Sequence, residues 1–436
     1  MLKLFGTDGI RAIANEYPLT IDICKKLVHA LVLHFNLKSG DTVIIGRDTR
    51  ESGGSFEKVL TDEFVSLGVN VSLTGVVATP IVSFLVTENK AQLGVMISAS
   101  HNPYNYNGIK IFKSDGLKLS DEEEQQIENM IFANKLVAAS QSVGTVNSIS
   151  NDLDKYFRKI QKEIFPVGNG MKVVVDTANG SFSNFGQLGV FSFCVNVIAI
   201  GKYPNGRNIN DDCGVMHPDQ LTECVKNDHA DIGIAFDGDG DRVILCDENG
   251  DIMDGDQILA LLATYEHCDT VVSTIMANYG LEKYLNNKGI SLVRTNVGDR
   301  YISEYMRQHS NARFGAEPSG HVIIRDHLLT GDGLYTAIKI LALFFKSGCA
   351  KFSEFCHVFE PVPSVTKNVK VSDKGIIEKD EINGKINQYK EQLLGRGRLI
   401  VRPSGTEPVI RITAEGEDLD ELNSIISDIA LVLEKI

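Results

Sequence analysis

This sequence predicts an α/β protein with three related α/β domains containing mixed sheets and a smaller C-terminal α+β domain, and two observations carry that reading. First, one unit recurs: an apolar strand-like run, a polar turn, a helix-like stretch, then a second strand-like run. Such a unit is a βαβ crossover, and crossovers build parallel sheets covered by helices. Second, 436 residues exceed what one hydrophobic core serves and suit three or four domains.

Taken in order, Val43-Ile44-Ile45-Gly46 opens the first unit and residues 68–73 close it. The run Leu93-Gly94-Val95-Met96-Ile97 reads as a buried strand. Pro103 cannot extend a strand and biases Asn102 away from helix, so the run ends in a turn. Asn107-Gly108 reads as a tight-turn dipeptide, with Ile109-Lys110-Ile111-Phe112 as the return strand. Residues 118–143 are polar and helix-prone, and the acidic run Asp121-Glu122-Glu123-Glu124 reads as a solvated helix face. Residues 138–151 are Ser-rich and read as a linker, which sets the first domain at 1–150.

The second domain, 151–253, repeats the unit with strands at 172–176 and 194–198 and a turn at Asn179-Gly180. The third, 254–363, opens on a buried helix through Gln257-Ile258-Leu259. It repeats the unit at 270–273, a turn through Asn278-Tyr279-Gly280, a helix from Leu281, and a strand at 289–293. Two prolines in residues 359–364 mark a further linker. The last domain, 364–436, has strand-like runs at 398–401 and 409–413 and ends in an amphipathic helix over 418–436.

The apolar fraction of 43% and the mean hydropathy of -0.04 are those of a soluble globular chain. No apolar run reaches the roughly 18 residues that span a bilayer. The N-terminus shows no export pattern, so the expectation is a cytoplasmic protein with no membrane partner. None of the eight cysteines are spaced C-x-x-C, and the expectation is buried reduced thiols rather than disulfides or zinc. A net charge of -14 argues against nucleic acid and acidic membranes as partners. An anionic substrate would then need a locally basic pocket.

Four segments carry chemistry. In the loop 98–103, Ser100 sits on a stiff turn beside His101, with Lys110 close by, and suits a covalent group. A plain hydrogen-bonded turn is the alternative for that loop taken alone. In Asp237-Gly238-Asp239-Gly240-Asp241-Arg242, three carboxylates alternate with glycines. Unpaired they would repel one another, and a hard divalent cation relieves that repulsion. An EF-hand loop is rejected, because Arg242 stands where that loop needs glycine and Val243-Ile244-Leu245 continues as a strand. Arg402-Pro403-Ser404-Gly405-Thr406 offers a guanidinium, hydroxyls and glycine-exposed amides, the equipment of a phosphate cradle, and Arg411 adds a second positive group. Glu317-Pro318-Ser319-Gly320-His321 puts a carboxylate, a hydroxyl and an imidazole on one loop, which suits sugar hydroxyls. Residues 296–300 and 5–11 are similar glycine-marked charged turns.

In this order the four segments resemble the α-D-phosphohexomutase family: its phosphoserine, metal, sugar-binding and phosphate-binding loops. The resemblance implies four domains around a central cleft. It implies a phosphorylated Ser100, one Mg2+ per chain held by Ser100, Asp237, Asp239 and Asp241, and a substrate phosphate on Arg402, Ser404, Gly405, Thr406 and Arg411. Asp299, Glu317, Ser319 and His321 would meet the sugar, and Arg11 and Arg242 would offset charge on the moving group. His101 and Lys110 stay open as the base. The segments 5–11, Asn208-Ile209-Asn210 with Cys213-Gly214, and Val297-Gly298-Asp299-Arg300-Tyr301 are most similar to the phosphoglucosamine mutase branch. That branch interconverts glucosamine 6-phosphate and glucosamine 1-phosphate for UDP-N-acetylglucosamine supply. Pro318 instead resembles the phosphomannose and phosphoglucose branch. The implied partners are a phosphorylated hexosamine and a glucosamine 1,6-bisphosphate-type activator, with a homodimer compatible with the family.

Overall fold

The computed structural model describes residues 4–6, 8–149, 152–162, 171–183, 196–404 and 408–434. Its first sheet holds β1 (Ile10–Ile13), β2 (Thr42–Arg47), β3 (Asn70–Val76), β4 (Leu93–Ile97), β5 (Tyr106–Lys113) and β6 (Val146–Ser148) in the order β1-β5-β4-β2-β3-β6. The second holds β7 (Lys172–Asp176), β8 (Asn196–Ile200), β9 (Ile232–Phe236), β10 (Val243–Asp247) and β11 (Ile252–Met253) in the order β11-β10-β9-β7-β8. The third holds β12 (Thr270–Thr274), β13 (Ser291–Thr295), β14 (Ala312–Ala316) and β15 (Val322–Ile324) in the order β13-β12-β14-β15. The last is antiparallel, with β16 (Ser364–Lys370), β17 (Gly397–Pro403) and β18 (Val409–Gly416) in the order β16-β18-β17.

The first three sheets share one kernel. Three parallel strands, β3-β2-β4, β8-β7-β9 and β13-β12-β14, are each extended by one antiparallel strand, β5, β10 or β15. Central strands of this kind are covered on both faces, and every residue of β4, β9 and β12 is buried. In each kernel the hairpin between the third parallel strand and its antiparallel neighbour is a loop singled out for its chemistry. These loops are 98–105, 237–242 and 317–321.

Three sequence expectations change. Asn107-Gly108 is not a turn but lies inside β5, where Gly108 pairs with Arg11. A Cβ there would stand 2.5 Å from the Ser98 carbonyl oxygen and 2.8 Å from that of Ile10, so the glycine serves close backbone approach. The Ser-rich segment read as linker contains β6, which pairs with β3. The acidic run opens the helix Asp121–Phe132 behind a Ser120 capping box, where carboxylates favour the helix dipole. It is not wholly solvated, since Glu124 is buried against Arg300 at 2.8 Å. The strand expected from Cys194 is seen from Asn196, while Cys194 and Val195 lie outside the described residues.

One apolar core runs from Phe84 through Tyr156 and Phe236 to Leu259 and Leu334, joining the three α/β domains. The last domain has its own core around Ile382, Leu399, Ile410, Ile412 and Ile425. Among the described residues no helix is long and apolar enough to cross a membrane.

Candidate active site

The loop after β4 holds Ser100 in the left-handed region at φ 51°. Such a conformation costs on the order of 1 kcal/mol and persists only where the surroundings enforce it. Here they do. Arg50, fully buried, pairs with Asp48 at 2.8 Å and donates to the carbonyls of Ser100 at 3.0 Å, Asn102 at 2.8 Å and Tyr106 at 2.9 Å, and to that of Pro103. Asn210 donates to the Ser100 and Asn102 carbonyls at 2.9 and 3.1 Å. Ser98 Oγ donates to Asp48 at 2.7 Å and accepts the Ser100 amide at 2.9 Å. Asp48 and Arg50 were not singled out in the sequence. The charged turn Arg47-Asp48-Thr49-Arg50 just after a buried strand is the signal that marks them.

The second domain delivers the carboxylates. Ser100 Oγ donates to Asp237 Oδ2 at 2.6 Å. A Cβ on Gly238 would lie 2.8 Å from the Ser100 carbonyl oxygen, and Gly240 has φ 71°, so both glycines are required by the bend and the close approach. One ligand atom from each of Asp237, Asp239 and Asp241 lies within 4.8 Å of the others. Asp239 Oδ1 and Asp241 Oδ1 are buried without a hydrogen-bond partner. Three converging carboxylates with unsatisfied oxygens fit a hard divalent cation that prefers oxygen ligands.

Cations surround the cluster. Lys110 Nζ is 2.8 Å from Asp8, Asp239 and Asp241 alike. Lys118 Nζ reaches Asp8 at 2.6 Å and Asp299 at 2.5 Å. His321 lies 3.2 Å from Asp299 and 3.6 Å from Asp241. Arg11 reaches Asp8 at 3.1 Å. Burial pushes the Asp237 carboxyl well above its ordinary range, and Asp239 and Asp241 add to the shift. Burial alone would lower the pKa of Lys110, but Asp239, Asp241 and Asp8 reverse this and hold it well above the ordinary lysine value. Burial would likewise discharge His321, yet Asp299 and Asp241 raise it to about 10. His101 goes the other way, lowered to about 3 by burial and then by Arg242 and Arg11.

A cleft of about 950 Å³ opens in front of this cluster, lined by Arg11, His101, Arg242, Glu317, Ser319 and Arg411. Ser100 is buried just beneath the lining residues His101 and Asn102, and His101 Nδ1 lies 3.3 Å from Ser100 Oγ. Lys110, Asp299 and His321 are likewise buried and do not line the cleft. Across it stands the last domain. Arg402 faces Arg411 in the β17–β18 register, and burial followed by repulsion from Arg411 lowers the pKa of Arg402. An anion between the two guanidiniums would relieve that repulsion. Beside them Lys374 donates to the Ser404 carbonyl at 2.6 Å, a cation the sequence reading missed. Gly405 and Thr406 lie outside the described residues.

Comparison with known proteins agrees with this layout. Profiles of phosphoglucomutase/phosphomannomutase match in four parts: alpha/beta/alpha domain I over residues 2–138, domain II over 154–250, domain III over 254–362, and the C-terminal domain over 367–432. A phosphoglucosamine mutase of Brucella ovis is 42% identical over 443 residues, covering 99% of this chain and 98% of the relative. One from a Chelativorans species is 43% identical, covering 98% and 97%. Among solved structures, a phosphoglucomutase/phosphomannomutase family protein from Burkholderia thailandensis superposes with a TM-score of 0.82 at 22% identity, covering 99% and 97%. The N-acetylphosphoglucosamine mutase of Aspergillus fumigatus, solved with GlcNAc-6P and magnesium, gives 0.67 at 16% identity, covering 100% and 96%.

Proposed function

The chain belongs to the phosphoglucomutase/phosphomannomutase family, and from that premise we propose that it interconverts glucosamine 6-phosphate and glucosamine 1-phosphate by way of a phosphoserine. The name of its Brucella and Chelativorans relatives supports the choice of sugar. The observation that carries the reaction class is Ser100 Oγ at 2.6 Å from Asp237, directly beneath His101 in the wall of a cleft that Arg11, Arg242 and Arg411 also line.

In this reading Arg402, Arg411 and the turn at Ser404, with Gly405 and Thr406, hold the phosphate already on the sugar. The free sugar hydroxyl then faces Ser100. The phosphoryl group leaves Ser100 Oγ for that hydroxyl, and the bond to the sugar oxygen forms as the bond to Oγ breaks. The hydroxyl proton passes to His101 Nδ1 and on to Oγ. His101 is favoured over Lys110 because it is uncharged, lies 3.3 Å from Oγ and lines the cleft, whereas three carboxylates keep Lys110 protonated. A divalent cation, one Mg2+ per chain held by Asp237, Asp239, Asp241 and an oxygen on Ser100, would neutralise the charge of the transferring group.

Arg11 and Arg242 flank that group from the cleft walls, while Asp299 and His321 act from behind through Lys118 and Asp241. The bisphosphorylated sugar must turn end for end before its other phosphoryl group returns to Ser100. Glu317 and Ser319 would therefore meet hydroxyls in both orientations. The separate core of the last domain suits it to close over the sugar and exclude water as acceptor. We place Ser100 loading with a glucosamine 1,6-bisphosphate-type activator, the chain in the cytoplasm, and a homodimer with a whole site in each copy. Unpaired cysteines, such as Cys24, Cys246 and Cys268, fit a reducing compartment.

The test compares kcat/KM on glucosamine, mannose and glucose 6-phosphates, with Mg2+ and the matching bisphosphate supplied. The glucosamine ester should be preferred. A preference for mannose or glucose 6-phosphate would move the chain to the branch that Pro318, on the cleft wall, resembles.

A further inference from the structure

Away from the cleft, three side chains of metal-ligating type meet where the second and third domains touch. Asp247 ends β10, while Cys356 and His357 are consecutive at the end of the short helix Ser353–Cys356. One ligand atom from each lies within 4.8 Å of the others. His357 Nε2 stands 3.1 Å from Asp247 Oδ2. We propose that Asp247, Cys356 and His357 form a second metal site that takes a borderline-soft divalent cation of the zinc class, with a fourth position open to water.

The donor set selects the ion. A thiolate, an imidazole and a carboxylate suit a tetrahedral zinc-class ion and not magnesium, which wants oxygen ligands. Bonds of about 2.0–2.3 Å in tetrahedral geometry put ligand atoms roughly 3.3–3.8 Å apart, so the present spacing needs only small side-chain shifts. Asp247 is already oriented. Its Oδ1 accepts the amides of Asn249 and Asp251, both at 2.9 Å, which turns Oδ2 toward His357. Such outer contacts hold ligating carboxylates in place. Access is one-sided: the His357 side chain is 28% exposed, whereas Asp247 and Cys356 are buried. An ion would arrive past the imidazole and come to rest against the sulfur.

Coordination needs the thiolate, so binding would release the Cys356 proton to solvent. Sequence spacing could not reveal the site, because His357 and Asp247 are 110 residues apart and come from different domains. An ion here would cross-link β10 to the third domain without touching a residue of the cleft.

The test uses the whole protein, stripped with chelator and returned to excess Mg2+ so that the aspartate trio is saturated. Co2+ is then titrated in, and Zn2+ is used to displace it. Expected are one Co2+ per chain with a thiolate-to-cobalt absorption band, loss of the band in Cys356→Ser, and at least tenfold weaker Co2+ binding in His357→Ala. Mutase rates of His357→Ala should match wild type. No thiolate band in the wild-type protein would overturn the proposal. So would unchanged Co2+ affinity in His357→Ala, whose partly exposed position makes it the deciding variant if Cys356→Ser fails to fold.

Discussion

Replacing Lys110 with methionine tests the electrostatic account of the site. The ammonium is 1% exposed and 2.8 Å from each of three carboxylates. Lys110 is the ammonium that Asp8, Asp239 and Asp241 share, so the variant removes one positive charge from the middle of a buried acidic cluster. Removing one partner from a buried ion pair costs about 3–5 kcal/mol. That is a large share of the roughly 5–15 kcal/mol that holds a folded protein together. In EDTA the melting temperature should fall on the order of 10 °C.

Lys110 also competes with a divalent cation for Asp239 and Asp241. The variant should therefore bind Mg2+ at least tenfold more tightly, worth about 1.4 kcal/mol. Mg2+ at a hundred times its Kd should return about 2.7 kcal/mol. The assay is thermal unfolding of wild type and Lys110→Met in EDTA and across a Mg2+ titration. A variant that melts within about 2 °C of wild type in EDTA, or gains no more from Mg2+ than wild type does, would refute the charge balance described here.

Three further predictions follow from particular contacts. Ser100→Ala should lose turnover even with bisphosphate activator present, and intact mass should show the loss of one phosphate per chain; near-normal turnover rules out the covalent role. Arg50→Lys keeps the charge beside Asp48 but cannot donate to four carbonyls at once. It should lower kcat at least tenfold while far-UV circular dichroism stays unchanged, and an unaltered kcat would show that the clamp does not position Ser100. Asp256 is raised to about 8 by burial and then by Asp254, and its Oδ1 lacks a hydrogen-bond partner. With its folded value above the unfolded 3.8, it favours the native state at low pH and disfavours it progressively as pH climbs from about 4 to 8. Asp256→Asn should therefore unfold at higher denaturant than wild type at pH 8, with the gap narrowing toward pH 5; equal midpoints at both pH values would contradict the assignment.

Much of this molecule was legible without coordinates, for reasons that are local. Apolar runs such as 93–97 and 270–273 announce buried strands because a parallel sheet is covered on both faces. The alternation of Asp237, Asp239 and Asp241 with glycines announces converging carboxylates on a tight bend, because glycine permits the bend that gathers them. What stayed hidden depends on residues distant in sequence. Asn107-Gly108 carries a turn signature, yet the approach of the Ser98 and Ile10 carbonyls makes it strand. Arg50 looks like an ordinary loop arginine until the fold wraps four carbonyls around it.

The amino-acid sequence by itself determined the strand periodicity, the glycines that permit the tight bends, and the residue types of each chemical loop, since all of these act within a few residues of one another. Only the tertiary structure decided which groups share the cleft and which stand behind it. It set Lys110 among three carboxylates and His101 against the hydroxyl of Ser100, and it gathered Asp247, Cys356 and His357 from two domains. Their protonation and partners follow from burial and from charges tens to hundreds of residues away, and no local pattern encodes that.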